Sequence, residues 1–274
     1  MDDLYDRLVA TAHELAEATG RSGHDIVVVL GSGLGGYTAR HPSAAAVPYQ
    51  RLSGFPIPRA AGHTAAAYSL EIGGNRILLY AGRAHAYEGH PMDVITYPVR
   101  TAVIAGCRTV VLTNAAGGCG DGINAGDVVA ITDHINMSGV SPLAGPNDDR
   151  LGPRFPDMTD VYTPALRNQA HAAAAATGLD LKEGVYFWWH GPMYETPAEV
   201  EMARRLGASL VGMSTVPEAT AARHMGAGVL GLSLCTNLAA GIARHRLSSE
   251  EVTTTAAAAG ERLGRFLDVL LERL

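Results

Sequence analysis

The sequence predicts a single α/β domain, residues 1–274, with helices flanking one central mixed β-sheet. Short runs rich in Val, Ile and Leu alternate with helical patterns, which is typical of this fold class. Gly73-Gly74 separates two strand-like segments as a hairpin turn would, so antiparallel pairs are expected beside parallel ones. The predicted strands are 26–30, 77–80, 109–112, 128–131, 185–189, 209–211 and 229–234.

Helix starts are marked by capping boxes, in which a hydroxyl residue is followed three positions later by Glu. The first twenty residues form an amphipathic pattern and lack the basic-then-apolar order of a signal peptide. Residues 141–160 are rich in Gly, Pro and Asp and predict one long functional loop. The capping boxes are Thr196 with Glu199, Thr215 with Glu218, and Ser248 with Glu251.

Composition favours a small-molecule partner in the cytosol. The net charge is −6 and no block of Lys or Arg stands out, which argues against binding to a nucleic-acid backbone. Cys107, Cys119 and Cys235 are odd in number and lack C-x-x-C spacing, so a disulfide framework and a zinc site are both disfavoured. The uncharged stretch 225–243 is interrupted by glycine and polar residues, and predicts a buried strand and a loop rather than a membrane span.

The glycine-rich segment 31–36 follows the first predicted strand and formally matches G-x-G-x-x-G. A dinucleotide site also needs an acidic residue about twenty positions later, and residues 47–52 contain none. Backbone N–H groups of such a loop can still bind an anion, with the Ser32 hydroxyl as a further donor. The segment therefore predicts a phosphate site, with a plain tight turn as the alternative.

Arg83 and His85 follow the predicted strand 77–80. Strand alternation places both on one side, where a guanidinium and an imidazole can share one anion. His85 and His90 could instead be metal ligands, but their spacing and the lack of a third ligand nearby disfavour this. We expect an anion site and no metal.

Ser214 precedes the capping box at Thr215, so its hydroxyl is expected at a helix N-terminus, where anions bind. A simple capping serine is the alternative. Small residues at 114–118 let the backbone approach a ligand closely, although a turn would look similar.

Glu195 comes directly before a predicted helix, and Asn237 follows the predicted strand 229–234. A carboxylate and a carboxamide suit a base with an amide-like edge. Alone, each could be a surface acid or a turn residue.

Together these segments resemble the trimeric purine nucleoside phosphorylase family, from about residue 26 to the last helix. The matching blocks are GSGLG (31–35), GH (62–63), GRAHAYEG (82–89), TNAAGG (113–118), DHIN (133–136), GPMYET (191–196), GMSTVPE (212–218) and TN (236–237).

The resemblance implies cleavage of a nucleoside by inorganic phosphate, a co-substrate, into free base and ribose 1-phosphate, with no cofactor. It implies a homotrimer in which Phe155 reaches a neighbour's site. Glu195, Asn237 and His85 would be catalytic. The implied phosphate ligands are Ser32, His63, Arg83, His85, Ala115 and Ser214; the ribose contacts are Tyr87, Met213, Ser249 and Phe155; the base contacts are Ala115, Ala116, Gly117, Trp189, Tyr194, Glu195, Thr236 and Asn237.

The chain departs from the family pattern in two places. Phe187-Trp188-Trp189-His190 stands where smaller residues are usual, and by resemblance Trp189 would line the base pocket. The alternative is that its side chain turns into the core and purines bind as usual, because the sequence does not determine the rotamer. Ser249 stands where many relatives have a His at the ribose 5′-hydroxyl, with His245 as a possible substitute.

These departures leave three functional hypotheses open. The leading one is a phosphorylase for 6-oxopurine ribonucleosides. A second is a phosphorylase for a uridine-type or 5′-modified nucleoside, because an indole at position 189 would occupy the space of one purine ring. The third is a nucleoside-binding protein without turnover.

Overall fold

The computed structural model describes residues 3–32, 34–59, 64–243 and 246–274. Within these ranges the α-helices are α1 (Leu4–Thr19), α2 (Met92–Ile104), α3 (Pro164–Thr177), α4 (Pro197–Arg205), α5 (Val216–His224) and α6 (Ser249–Arg273). The strands of the same ranges are β1 (Ile26–Leu30), β2 (Ala45–Pro48), β3 (Ala66–Ile72), β4 (Asn75–Ala81), β5 (Thr109–Gly118), β6 (Val128–Asn136), β7 (Leu181–Trp188), β8 (Leu210–Gly212) and β9 (Gly228–Leu238).

One nine-stranded mixed sheet forms the centre, which confirms the predicted fold class. The strand order is β2-β3-β4-β1-β5-β8-β7-β6-β9, and β9 pairs with β5 as well as with β6. Strands β5, β8, β7, β6 and β9 therefore close on themselves like a barrel, while β2, β3, β4 and β1 extend the sheet from one side.

Apolar helix faces cover both sides of the sheet. Side chains of α1, α2 and α5 pack in one core with β1, β4 and β5. Side chains of α3 and α6 pack in a second core on the opposite face. Strand β1 is buried along its whole length, as expected for a strand covered on both faces.

Several local predictions are confirmed. The Glu199 and Glu218 carboxylates accept from the backbone N–H groups of Thr196 and Thr215, and Ser248 Oγ accepts from the Glu251 N–H. The N-terminal helix is α1, and residues 141–160 contain neither helix nor strand. Within the described ranges, none of the helices is both long and apolar enough to cross a membrane.

Some boundaries differ from the predictions. Strand β5 continues through the small residues to Gly118, with an irregularity in its pairing with β9 after Ala116. The short edge strand β2 was not predicted, since four residues of small and alternating character give a weak pattern.

The topology gathers functional side chains at one edge of the sheet. Strands β1, β4, β5 and β9 are parallel, so their carboxyl ends bring Ser32, Arg83 and Asn237 to the same side. The turn after β1 packs tightly on β5, because a Cβ at Gly31 would lie 2.6 Å from the Asn114 Cα. Glycine is therefore required at position 31.

Candidate active site

A cavity of about 150 Å³ opens at this edge of the sheet. Its polar walls come from four loops and from the ends of β5 and β9. Residues that line it are Ser32, Arg83, His85, Tyr87, Asn114, Ala115, Ala116, Gly117, Tyr194, Glu195, Val211, Gly212, Met213, Ser214, Thr236, Asn237, Ala239, Leu247 and Val252.

Arg83 supplies a buried cation on one side of the cavity. Its Nε donates to Glu218 Oε1 at 3.1 Å, and its Nη1 donates to the Thr113 carbonyl and lies 3.5 Å from Ser214 Oγ. Among the described residues, Nη2 has no hydrogen-bond partner. A buried guanidinium with a remaining N–H pair is suited to an anionic ligand.

His85 lies beside Arg83 and is held by Glu88. The His85 backbone N–H donates to Glu88 Oε1 at 2.8 Å, and Nδ1 lies 3.2 Å from the same oxygen. Burial raises the pKa of Glu88, but hydrogen bonds from His85 and from the Arg59 backbone outweigh burial and lower it to about 2. The imidazole also stacks on Tyr87, with ring centroids 4.8 Å apart. These contacts fix the ring orientation.

Ser214 lies on a constrained turn at the start of α5. Thr215 has a φ of +73°, which is uncommon for a residue with a side chain. Its hydroxyl accepts from Asn114 Nδ2 at 2.9 Å and lies 3.1 Å from Ser214 Oγ. The Ser214 hydroxyl is thereby held near the N-terminus of α5 and near Arg83.

Asn237 and Thr236 form a polar wall at the end of β9. Asn237 is 5% exposed. The Thr236 hydroxyl donates to Asn237 Oδ1 at 3.0 Å, and Asn237 Nδ2 donates to the Leu238 carbonyl at 3.0 Å. The carboxamide is therefore oriented before any ligand binds.

Glu195 is a buried acid without a full set of partners. Its Oε1 is buried and has no hydrogen-bond partner among the residues that the structure describes. Burial raises the pKa of its carboxyl group, which disfavours the ionised form in the folded chain. Such a carboxylate is suited to accept an N–H from a ligand.

Glu195→Gln is expected to stabilise the unliganded fold at pH 7.5 by about 1 to 3 kcal/mol, because a buried group without a partner is replaced by a neutral one. The folded-state pKa is raised, so the wild-type penalty is absent below the ordinary value of 4.5 and grows as pH rises through the raised pKa. Urea unfolding at pH 4.5 and 7.5, with exposed Glu250→Gln as the control, measures the difference. Equal stability at pH 7.5 would contradict the prediction.

Comparison with known proteins identifies the family to which this chain belongs. A model of the phosphorylase superfamily matches residues 25–272. The chain is 48% identical to the purine nucleoside phosphorylase of Mycobacterium leprae over 99% of this chain and 97% of that protein. The chain belongs to the purine nucleoside phosphorylase family.

Solved structures of the family have the same fold. Isoform 2 of purine nucleoside phosphorylase from Schistosoma mansoni, in complex with cytosine and ribose-1-phosphate, has a TM-score of 0.92 at 34% identity, covering 98% of this chain and 97% of that one. Purine nucleoside phosphorylase from the same organism in complex with inosine has a TM-score of 0.92 at 32% identity, covering 98% and 96%.

Most of the site residues that the sequence predicts line the cavity described above. They are Ser32, Arg83, His85, Tyr87, Ala115, Ala116, Gly117, Tyr194, Glu195, Met213, Ser214, Thr236 and Asn237. His63 and His245 lie outside the described residues. Phe155 is 89% exposed in the segment before α3 and does not line the cavity of its own chain.

Trp189 packs against a small core and is not among the residues that line the cavity, as in the alternative in which its side chain turns away from the base. Its ring packs on Phe187, with centroids 4.9 Å apart, in a small core that includes Val211 and Ala239. Alternation does place Phe187 and Trp189 on one face, but that face lies behind the cavity wall. Trp188 points to the opposite side and is fully buried.

Trp189→Ala is therefore expected to change the kcat/KM ratio for inosine over uridine by less than about threefold. The indole packs against a core whose members Val211 and Ala239 line the cavity, whereas the indole itself does not. Val211→Ala, which alters the wall itself, is the matched comparison and should change the ratio more. A change above about tenfold for Trp189→Ala would place the indole in the base site.

Ser249 does not line the cavity either. It is the first residue of α6 and is exposed, while Leu247 and Val252 line the cavity. Sequence reasoning missed this apolar pair, which shows only as two aliphatic residues flanking the cap at Ser248.

In the described ranges, no three His, Cys, Asp or Glu side chains are grouped as metal ligands. The absence of a metal or cofactor from the reaction stays a prediction.

Proposed function

We propose that this chain catalyses the phosphorolysis of a ribonucleoside, with a 6-oxopurine nucleoside as the default substrate. The products are the free base and ribose 1-phosphate. The observation that carries the proposal is a single cavity in which Arg83, His85 and Ser214 offer anion ligands, while Glu195 and Asn237 offer a polar edge for a base.

Phosphate is already a charged nucleophile, and the ribosyl centre passes through an oxocarbenium-like state. The protein therefore has to position two substrates and stabilise charge. Anion ligands hold the phosphate oxygens against the developing positive charge. The Asn237 carboxamide and the Glu195 carboxylate stabilise the departing base, which gains negative charge as the bond breaks.

Two observations favour a purine over a pyrimidine. Trp189 lies behind the cavity wall and leaves the base space open. The Schistosoma mansoni relative is described in complex with inosine. A pyrimidine stays the second candidate, since isoform 2 from that organism is described with cytosine, and a uracil-type ring could also present an imide N–H to Glu195.

The test is base release from inosine, guanosine, uridine and 5′-modified nucleosides, with and without phosphate. Strict phosphate dependence with inosine or guanosine leading supports the proposal. Phosphate-independent release would indicate a hydrolase. No release from any nucleoside, together with nucleoside binding, would indicate a binding protein. Uridine or a 5′-modified nucleoside leading would move the proposal to that substrate class.

We propose further that the enzyme is a homotrimer with Phe155 in a neighbour's site. Phe155 is 89% exposed, and the Arg154 guanidinium lies 5.7 Å from its ring centroid; a large exposed aromatic side chain supports a partner surface. Phe155→Ala should lower activity while the free energy of unfolding changes by less than about 1 kcal/mol. Met193→Ala, at a residue that is 75% exposed, is the control. Full activity of Phe155→Ala, or a monomer in sedimentation analysis, would contradict this proposal.

We also propose that the enzyme acts in the cytosol and needs no cofactor beyond its co-substrate phosphate. Three unpaired, buried cysteines support a reducing compartment. Activity that survives prolonged treatment with a chelator would support the absence of a metal requirement.

A further inference from the structure

Glu218 lies behind the phosphate side of the cavity and does not line it. Its side chain is 5% exposed, and that of its partner Arg83 is 3% exposed. The sequence explains Glu218 as the third residue of a capping box. The structure gives its carboxylate two separate tasks, since Oε1 accepts from Arg83 Nε at 3.1 Å and Oε2 accepts from the Thr215 N–H at 3.1 Å.

The first contact determines the orientation of the guanidinium. A guanidinium is a planar fork, so fixing two of its nitrogens fixes the third. Glu218 holds Nε, and the Thr113 carbonyl holds Nη1. The remaining nitrogen, Nη2, has no partner among the described residues. Glu218 thereby selects which N–H groups of Arg83 are available to phosphate.

The second contact holds the turn that carries Ser214. Thr215 has a φ of +73° and a ψ of −48°, a conformation that persists only where the surroundings enforce it. Its N–H is held by Glu218 and its hydroxyl by Asn114. Ser214 Oγ lies 3.5 Å from Arg83 Nη1. One carboxylate therefore connects two phosphate ligands that are 131 residues apart in sequence.

We propose that Glu218 is a positioning residue for phosphate: its two carboxylate oxygens fix Arg83 and the Ser214–Thr215 turn relative to each other. This inference rests on the proposed function, because phosphate is the ligand that the two groups would share. A role in helix capping alone makes a different prediction, since Gln serves in capping boxes as well as Glu.

Glu218→Gln separates the two roles. Gln keeps one acceptor oxygen, which can serve the Thr215 N–H as a cap, but its NH₂ group then faces the Arg83 Nε–H donor. We expect the phosphate KM to rise at least about tenfold, with the nucleoside KM changed less than about threefold. Glu199→Gln is the matched control: it makes the same change at the same position of the α4 capping box, where Glu199 has no arginine partner among the described residues.

The rise in Tm on adding inorganic phosphate is measured in parallel on wild type and both variants. It should be reduced in Glu218→Gln and retained in Glu199→Gln. An intact fold with phosphate KM and phosphate-induced Tm shift within about twofold of wild type would overturn the proposal, as would equal losses for phosphate and nucleoside. If Glu218→Gln does not fold, Glu218→Asp is compared in the same way, since its shorter side chain keeps the charge but cannot reach both partners.

The binding measurement keeps this inference distinct from the proposed reaction. If wild type shows a phosphate-induced Tm shift but no phosphate-dependent base release, the proposed reaction fails while the shift in Glu218→Gln still tests the positioning role. If wild type shows no phosphate-induced shift and no phosphate dependence, the positioning role is overturned as well.

Discussion

Asn237→Ala is expected to lower kcat by about 10²- to 10³-fold, with the nucleoside KM changed much less. Removing one preorganised donor to a developing negative charge has effects of this size in other enzymes. Asn237 is oriented before the ligand arrives, because Thr236 donates to its Oδ1 and its Nδ2 donates to the Leu238 carbonyl. Its contribution is therefore greatest in the transition state, when the base carries charge, and appears in kcat.

The measurement is steady-state kinetics with inosine at saturating phosphate. Exposed Asn136→Ala, at the end of β6, is the matched control and should retain wild-type rates. Thr236→Val should give an intermediate loss, since it removes the hydroxyl that orients the carboxamide but keeps the carboxamide itself. If Asn237→Ala raised KM and left kcat unchanged, Asn237 would contribute to binding and not to the chemical step.

Local signals in the sequence were sufficient for the parts of the site that depend on short-range geometry. Arg83 and His85 were placed together by alternation after β4, and both line the cavity. Gly31 and Ser32 were identified by the glycine-rich turn after β1. The capping box at Thr215 placed Ser214 at the start of α5. In each case the spacing along one element determines the direction of the side chain.

Two of the predicted site residues lie outside the cavity, and the direction of each side chain depends on distant packing. Trp189 follows the last residue of β7 and packs against the small core beside α4. Ser249 is predicted in the site by resemblance, whereas the residues around it that line the cavity are Leu247 and Val252. The rotamer of a side chain, and the core into which it packs, depend on contacts with residues far away in the sequence, so local sequence patterns do not predict them.

The contact between Glu218 and Arg83 could not be predicted from local sequence patterns for the same reason. Its capping partner is three residues away and visible in the sequence. Its arginine partner is 135 residues away and becomes adjacent only when β4 and α5 meet beside β5. The closure of β5 to β9 into a ring is equally non-local, since it requires β9 to pair with two strands at once.

Arg83→Ala is expected to give the largest loss in phosphate use. Truncating one partner of a buried, hydrogen-bonded charge pair costs about 2 to 5 kcal/mol, which corresponds to a fall of at least about 30-fold in kcat/KM for phosphate. The nucleoside KM should change less than about threefold if Arg83 binds phosphate and not the nucleoside, as proposed above. Comparable losses for both substrates would remove Arg83 from the phosphate site.

The same substitution also leaves the Glu218 carboxylate buried without its cation, which is expected to lower the free energy of unfolding by about 3 to 5 kcal/mol. The double variant Arg83→Ala with Glu218→Ala removes that uncompensated charge. It should recover part of the lost stability in urea unfolding, yet it should not recover phosphate use, because the N–H groups that bind the anion are still absent. Recovery of both together would mean that the loss of activity in Arg83→Ala came from a disturbed fold, and that the guanidinium itself does not bind phosphate.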